Sequence, residues 1–211
     1  MVNIVTVDGP AGVGKGTISK LLGERLNARV LNSGEIYRTI AYFLDKNKIN
    51  FNDALSVINY IKNFEFENIA THKLYSKKID LISSKISSIP NLRKRTIKIQ
   101  RDFIKLNNYG SGVIIAEGRD MGTVIFPKAE VKIFLWAKAE IRAKRRALQI
   151  NKTNETAKFN QILDEIILRD MRDMSRKTAP LRPAEDSYLI DNSNLDIEQC
   201  FNRILKIIKR N

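Results

Sequence analysis

The sequence predicts an α/β fold: a doubly wound parallel sheet of five strands with helices on both faces. Five short apolar, β-branched runs recur along the chain, and helical periodicity fills the intervals between them. The first run also leads directly into a glycine-rich turn and a helix start. At 211 residues the chain has the length of one substantial core, so a single domain over 1–211 is expected.

The elements follow in order. Ile4 to Val7 is the first strand, and Gly9 opens the turn into a helix over 15–26. Arg29 to Leu31 is the second strand and leads to a helix over 34–46. No element is assigned from there to a helix over 91–107; this interval contains the one compositionally biased patch, Ser83 to Ser88. Val113 to Ala116 and Val131 to Trp136 are the third and fourth strands, and helices over 139–150 and 157–173 follow. Tyr188 to Ile190 is the last strand and 195–210 the last helix.

The turn reads Gly9-Pro10-Ala11-Gly12-Val13-Gly14-Lys15-Gly16-Thr17. Its glycines let successive N–H groups turn inward around phosphate oxygens, the following helix presents its positive end, and Lys15 adds a cation. A plain strand-to-helix loop can also be glycine-rich. Strand, Gly9-x-x-x-x-Gly14-Lys15 spacing and helix together favour phosphate, specifically a nucleoside triphosphate. P-loop proteins commonly place a hydroxyl for Mg²⁺ directly after the lysine, whereas here Gly16 takes that place and Thr17 comes one residue later. A metal held through phosphates and water is expected rather than one on protein ligands.

Composition excludes several classes. Cys200 is the only cysteine and sits at helical spacing among Ile197, Phe201, Ile204, Leu205 and Ile208, which reads as a core thiol. His72 is the only histidine, so zinc clusters and hydrolytic triads drop out. No apolar run has the length of about 20 residues that spans a bilayer, and no secretory leader is visible, so no membrane association and a cytoplasmic location are expected. The net charge is +14 and the pI about 9.9. Its lysines are scattered among asparagines with no interleaved aromatics, which reads as solvated surface and not as a nucleic-acid-binding face. No heptad seam is present, so a monomer is expected.

In doubly wound sheets ligands lie beyond the carboxyl ends of strands. The residues there are the phosphate loop after the first strand, Asn32-Ser33-Gly34-Glu35-Ile36-Tyr37-Arg38 after the second, and Glu117-Gly118-Arg119-Asp120-Met121-Gly122-Thr123 after the third. Ser33 reads as a helix N-cap, a substrate group or both. The Gly-Lys-Gly-Thr loop, Asn-Ser-Gly-x-x-Tyr-Arg, Gly-Arg-Asp-Met-Gly-Thr-Val-x-Phe-Pro and Arg169-Asp170-x-x-Asp173-x-x-Arg176-x-x-Ala179-Pro180-Leu181, in this order, resemble bacterial cytidylate kinase over the whole chain. The Gly118-Arg119-Asp120-Met121-Gly122 and Arg169-Asp170-x-x-Asp173-x-x-Arg176 segments separate this resemblance from related P-loop kinases of AMP or shikimate.

The resemblance implies a P-loop nucleoside monophosphate kinase fold with an acceptor-binding insert at about 60–92 and a lid at about 150–178. It implies transfer of the ATP γ-phosphoryl group to CMP or dCMP, with Mg²⁺ as cofactor and no partner beyond these small molecules. Gly9 to Thr17 would bind ATP, and Lys15, Arg119, Arg169 and Arg176 would serve the transfer. Ser33, Arg38, Ser84, Arg93, Gly118, Arg119, Asp120, Arg169 and Asp173 would bind CMP, with Ser84, Arg93 and Asp120 at the base and Arg169 and Asp173 near the sugar. Arginine forks suit such phosphate contacts. Structural pairing with arginines is the other reading of Asp120 and Asp173. Arg142, Arg145 and Arg146 either meet ATP phosphate or face water, with water expected for at least one. The chain departs from the family between Phe64 and Ile89, where the insert looks shortened and Tyr75 and Lys78 stand in place of an arginine and a glutamate; Asn32 stands where aspartate is usual.

Overall fold

Four consecutive residues, Val5 to Asp8, are buried in strand β1 (Asn3–Asp8), as expected for a central strand covered on both faces. In the computed structural model, which describes residues 3–62, 64, 71–105, 112–149 and 156–210, β1 lies at the middle of a five-stranded sheet. The other strands are β2 (Arg29–Asn32), β3 (Val113–Gly118), β4 (Val131–Trp136) and β5 (Tyr188–Asp191), in the order β2-β3-β1-β4-β5. β1 pairs in parallel with β3 and β4, and β4 with β5. The register sets Asp8 beside Gly118 and Phe134, so β1 and β3 end at one level and their following loops start together, while β4 runs two residues further. All five strands coincide with the apolar runs of the sequence.

The chain divides into two compact units, Met1–Leu31 with Leu106–Asn211, and Asn32–Lys105. The first holds most of the sheet with helices α1 (Lys15–Leu26), α6 (Ala139–Gln149), α7 (Thr156–Ser175) and α8 (Ile197–Ile208). The alternate strand residues Val5, Val7, Ile115, Ile133, Leu135 and Ile190 pack against Ile18 and Leu22 of α1 and Cys200 and Ile204 of α8. Cys200 is thus a buried thiol, as its spacing suggested, and burial pushes its pKa up. Ala143 and Ala147 of α6 meet Ile162 and Ile166 of α7 in a separate small core. Residues 150–155, the first part of the expected lid, lie outside the described residues.

Among the described residues the second unit is helical: α2 (Ser33–Lys46), α3 (Ala54–Ile61), α4 (Lys77–Ile86) and α5 (Pro90–Lys105), with a 3₁₀ turn at Thr71–Leu74; residues 63 and 65–70 of the expected insert lie outside the described residues. Its core joins Ile40 and Leu44 of α2, Val57 and Ile61 of α3, Ile79, Ile82 and Ile86 of α4 and Leu92 of α5. Helices α3 and α4 are not apparent in the sequence reading. α3 starts at Asp53, whose carboxylate accepts the Leu55 and Ser56 N–H groups, and α4 at Ser76, whose hydroxyl accepts from Ile79. Ser83 and Ser84 lie inside α4 despite their poor helix propensity, because Ile79, Ile82 and Ile86 give it a buried stripe. Pro90 occupies the first position of α5, where a missing N–H costs nothing.

Candidate active site

The phosphate loop is built as its residues require. Gly9 has φ 152°, and a Cβ there would overlap the Leu135 carbonyl oxygen, so only glycine lets β1 turn past β4. Gly14, in the left-handed region, is the N-cap of α1, which then begins at Lys15. The Lys15 ammonium is buried and donates to the carbonyls of Gly9 at 2.9 Å and Pro10 at 2.8 Å. Burial, followed by the charges of Arg119 and Arg169, holds its pKa well below the ordinary value against the pull of Glu117 and Asp8. Gly16 and Thr17 are exposed.

Around this cation the same unit gathers the third-strand loop and α7. Asp8, the last residue of β1, accepts from the N–H groups of Met121 at 2.9 Å and Gly122 at 2.8 Å. These bonds start a single π-helical turn, Met121–Ile125, that presents Arg119 and Asp120 just before it. Arg119 Nε donates to Asp173 Oδ2 at 3.0 Å, and the Arg176 guanidinium lies 3.8 Å from Asp120 Oδ1. Burial raises the pKa of Asp173, but Arg119, Arg169 and Arg176 outweigh it and hold the carboxyl below the usual range. Lys15, Arg119, Asp120, Arg169, Asp173 and Arg176 are therefore one electrostatic cluster. Asp173 is bonded to an arginine and Asp120 lies beside one, an arrangement that serves either of the two roles the sequence left open for them.

The remaining expected residues belong to the second unit. Asn32, and not Ser33, is the N-cap of α2: its side chain accepts the Glu35 N–H at 3.2 Å, and Ser33 is the buried first residue of the helix. Both residues have capping chemistry, and the extended backbone at Asn32 decides between them. The Arg38 guanidinium donates from Nε and Nη2 to Asp80 Oδ1, at 3.1 and 2.8 Å, and lies 4.8 Å from the centre of the Tyr75 ring. Tyr75 in turn donates to Glu35 Oε1 at 3.2 Å, and Lys78 pairs with Asp45 at 2.6 Å. Arg93 is 2 % exposed and donates to the Ser87 carbonyl. Ser84 Oγ is shielded from solvent with no hydrogen-bond partner among the described residues.

Several residues of this region carry no signal in the sequence motifs. Asp8 is a buried carboxylate at the end of an apolar strand, and that contrast was the available sign. Burial drives its pKa up to about 6, against the two N–H groups it accepts and with help from Asp120. Glu117 is buried beside Gly16, its carboxylate oxygens 3.7 and 3.8 Å from where a Cβ on that glycine would stand. Asn192 donates to the Val13 carbonyl at 2.9 Å and is held by Arg145 at 3.1 Å. Of the three arginines on α6, Arg142 is 2 % exposed, Arg145 is half-buried and Arg146 is exposed, which satisfies the expectation that at least one faces water.

Comparison with known proteins gives the same picture from a different direction. The family model described as cytidylate kinase matches residues 5–210. A cytidylate kinase of Mycoplasmopsis synoviae is 40 % identical over 97 % of each chain, and one of Pasteurella multocida 38 % identical over 98 % of this chain and 95 % of its own. Among solved structures, an uncharacterised protein from Eubacterium ventriosum aligns over both full chains with a TM-score of 0.56 at 15 % identity, a likeness of fold alone.

Proposed function

The chain belongs to the cytidylate kinase family, and from that membership we propose that it transfers the γ-phosphoryl group of ATP to CMP or dCMP, giving CDP or dCDP and ADP. The observation that carries the reading is the cluster around Lys15, where a phosphate loop and the Arg119, Arg169 and Arg176 side chains meet two buried carboxylates. Phosphoryl transfer asks little covalent chemistry of a protein. It asks for alignment and for positive charge over the oxygens of the moving group.

Gly9 to Thr17 hold the ATP phosphates, with Lys15 leaving the Gly9 and Pro10 carbonyls for phosphate oxygens. Burial and the Arg119 and Arg169 guanidiniums disfavour this ammonium, and an incoming phosphate brings negative charge to it. Arg119, Arg169 and Arg176 stabilise charge on the transferred group. Ser33, Arg38, Ser84, Arg93, Gly118, Arg119, Asp120, Arg169 and Asp173 bind CMP. Asp120 accepts from the cytosine amino group, which uracil lacks. Arg38 reaches the acceptor phosphate by exchanging the Asp80 carboxylate for it.

Mg²⁺ enters with ATP. Among the described residues no three carboxylate, histidine or cysteine groups stand together as a cage. That donor set suits an ion held by nucleotide phosphates and water, Mg²⁺'s usual habit, with Glu117 beside the loop to order its water. When bound with the nucleotide, the ion would supply positive charge to the phosphate oxygens. We further read the protein as a cytoplasmic monomer; among the described residues no helix is long and apolar enough to cross a membrane.

The test is ADP formation from ATP and Mg²⁺ with CMP, dCMP, UMP, AMP or no acceptor at equal concentrations. Activity largely confined to CMP and dCMP is expected. Preference for UMP or AMP, or turnover independent of acceptor, overturns the assignment.

A further inference from the structure

Ala11, in the middle of the phosphate loop, has both backbone polar groups taken by side chains from helices more than a hundred residues away. Its N–H donates to Asp170 Oδ1 at 3.3 Å, and its carbonyl accepts from Arg142 Nη1 at 3.0 Å. The same Nη1 lies 2.6 Å from Asp170 Oδ2, and Arg142 Nε donates to the Ala137 carbonyl at 2.8 Å. Arg142 on α6, Asp170 on α7 and Ala11 thus close a ring of three contacts. All of it is buried: the three residues are 2 %, 9 % and 8 % exposed.

An ion pair placed this deep is a poor source of net stability, because desolvating both charges consumes what their attraction returns. What this pair does supply is geometry. Ala11 lies between Pro10 and Gly12, and Gly9, Gly12 and Gly14 leave the loop a conformational freedom that Pro10 alone does not remove. Asp170 also lies on α7 next to Arg169 and three residues before Asp173, so the bond to Ala11 sets how α7 presents both of them. Phosphoryl transfer loses rate steeply when donor loop and charge-stabilising groups drift by about an ångström.

We infer that Arg142 and Asp170 are positioning residues that hold the phosphate loop at Ala11 in its nucleotide-ready shape and lock α7, with Arg169 and Asp173, to that loop. The part of the inference that concerns turnover rests on the kinase reading above; the part that concerns the loop does not.

The decisive variant is the double replacement Arg142→Met with Asp170→Leu, which removes both charges and refills the space, studied beside Asp170→Asn. A pair that serves only the fold leaves the refilled protein active. A positioning pair does not: the double variant should keep a thermal midpoint within about 5 °C of the wild type, while kcat falls at least about tenfold. A fluorescent N-methylanthraniloyl ADP should bind at least about tenfold more weakly, since the loop must then be ordered at the moment of binding. Wild-type kcat and ADP affinity in a stable double variant overturn the inference. Should the double variant not fold, Asp170→Asn decides alone: it keeps an acceptor for Ala11 but no charge for Arg142, and undiminished kcat and ADP affinity there overturn it equally. Wild-type protein that makes no ADP with CMP refutes the kinase reading, and the ADP titration then still tests the loop.

Discussion

Asp8 accepts the Gly122 N–H at 2.8 Å, so the residue that ends β1 and opens into the phosphate loop also holds the loop that carries Arg119 and Asp120. One carboxylate joins the expected donor and acceptor segments of the first unit through backbone bonds that no motif reveals.

Asp8 predicts a separation of rate from stability with pH. Burial raises its folded pKa from 3.8 to about 6, so between those values the folded state takes up the proton before the unfolded one does. Its contribution to stability therefore grows as pH falls from about 6 to about 4, by at most about 3 kcal/mol. Turnover should move the other way. A protonated Asp8 has a hydroxyl where one backbone N–H needs an acceptor, which loosens the 118–122 turn, so kcat should show an acid limb near pH 6. Asp173 acts oppositely on the fold: its pKa is lowered, so its stabilisation is present above the ordinary carboxylate value and is lost as pH falls through the lowered one. Asp8→Asn should be slow at every pH and show no limb near 6, as pH profiles of kcat and thermal midpoint on the two proteins would reveal.

Lys15→Ala should cost about 10³-fold or more in kcat/KM. Its effect on the fold should be neutral or favourable, because burial and the nearby Arg119 and Arg169 already disfavour the ammonium. A thermal midpoint equal to or above the wild type, beside collapsed turnover, is the expected pair of results. A midpoint that drops by as much as a core deletion would mean the bonds to Gly9 and Pro10 support the fold.

Arg169, Asp173 and Arg176 were legible because they sit in one short segment, whereas the bond from Asp170 to Ala11 spans 159 residues and depends on α6 and α7 packing together. Local patterning revealed the five strands of the described residues, because buried parallel strands are continuous apolar runs. It failed where a short helix is held by tertiary contact: α4 carries serines at its centre, and only its isoleucine spacing and the Ser76 cap mark it. The turn at Met121–Ile125 was unreadable for another reason. Its backbone bonds, such as Phe126 N–H to the Met121 carbonyl, follow from a carboxylate 113 residues earlier in the chain.

Asp120→Asn should narrow the preference for CMP over UMP. A buried carboxylate can accept from the cytosine amino group and is left unmatched against a uracil carbonyl, whereas an amide can serve either base. The expected change is a fall of at least about tenfold in the ratio of kcat/KM for the two acceptors, mostly through loss with CMP. Arg176 loses the carboxylate charge at 3.8 Å in the same variant, so kcat falls as well. An unchanged ratio would return Asp120 to the role of holding Arg176.

Ser84→Ala separates binding from folding most cleanly. The hydroxyl oxygen is shielded from water and has no hydrogen-bond partner among the described residues, so the folded protein already bears the cost of burying it. Removing a polar atom in that condition relieves a penalty and breaks no bond, and stability should stay level or rise by about 1 kcal/mol. If the hydroxyl is satisfied by the acceptor nucleotide, the same change removes one hydrogen bond from the complex and raises the KM for CMP by about three- to thirtyfold, with the KM for ATP unmoved. Ser83, its neighbour on α4, donates to the Asp80 carbonyl at 3.0 Å and so provides the control. Ser83→Ala should lower stability slightly and leave both KM values alone. A Ser84→Ala protein with unaltered KM for CMP would remove Ser84 from the acceptor site.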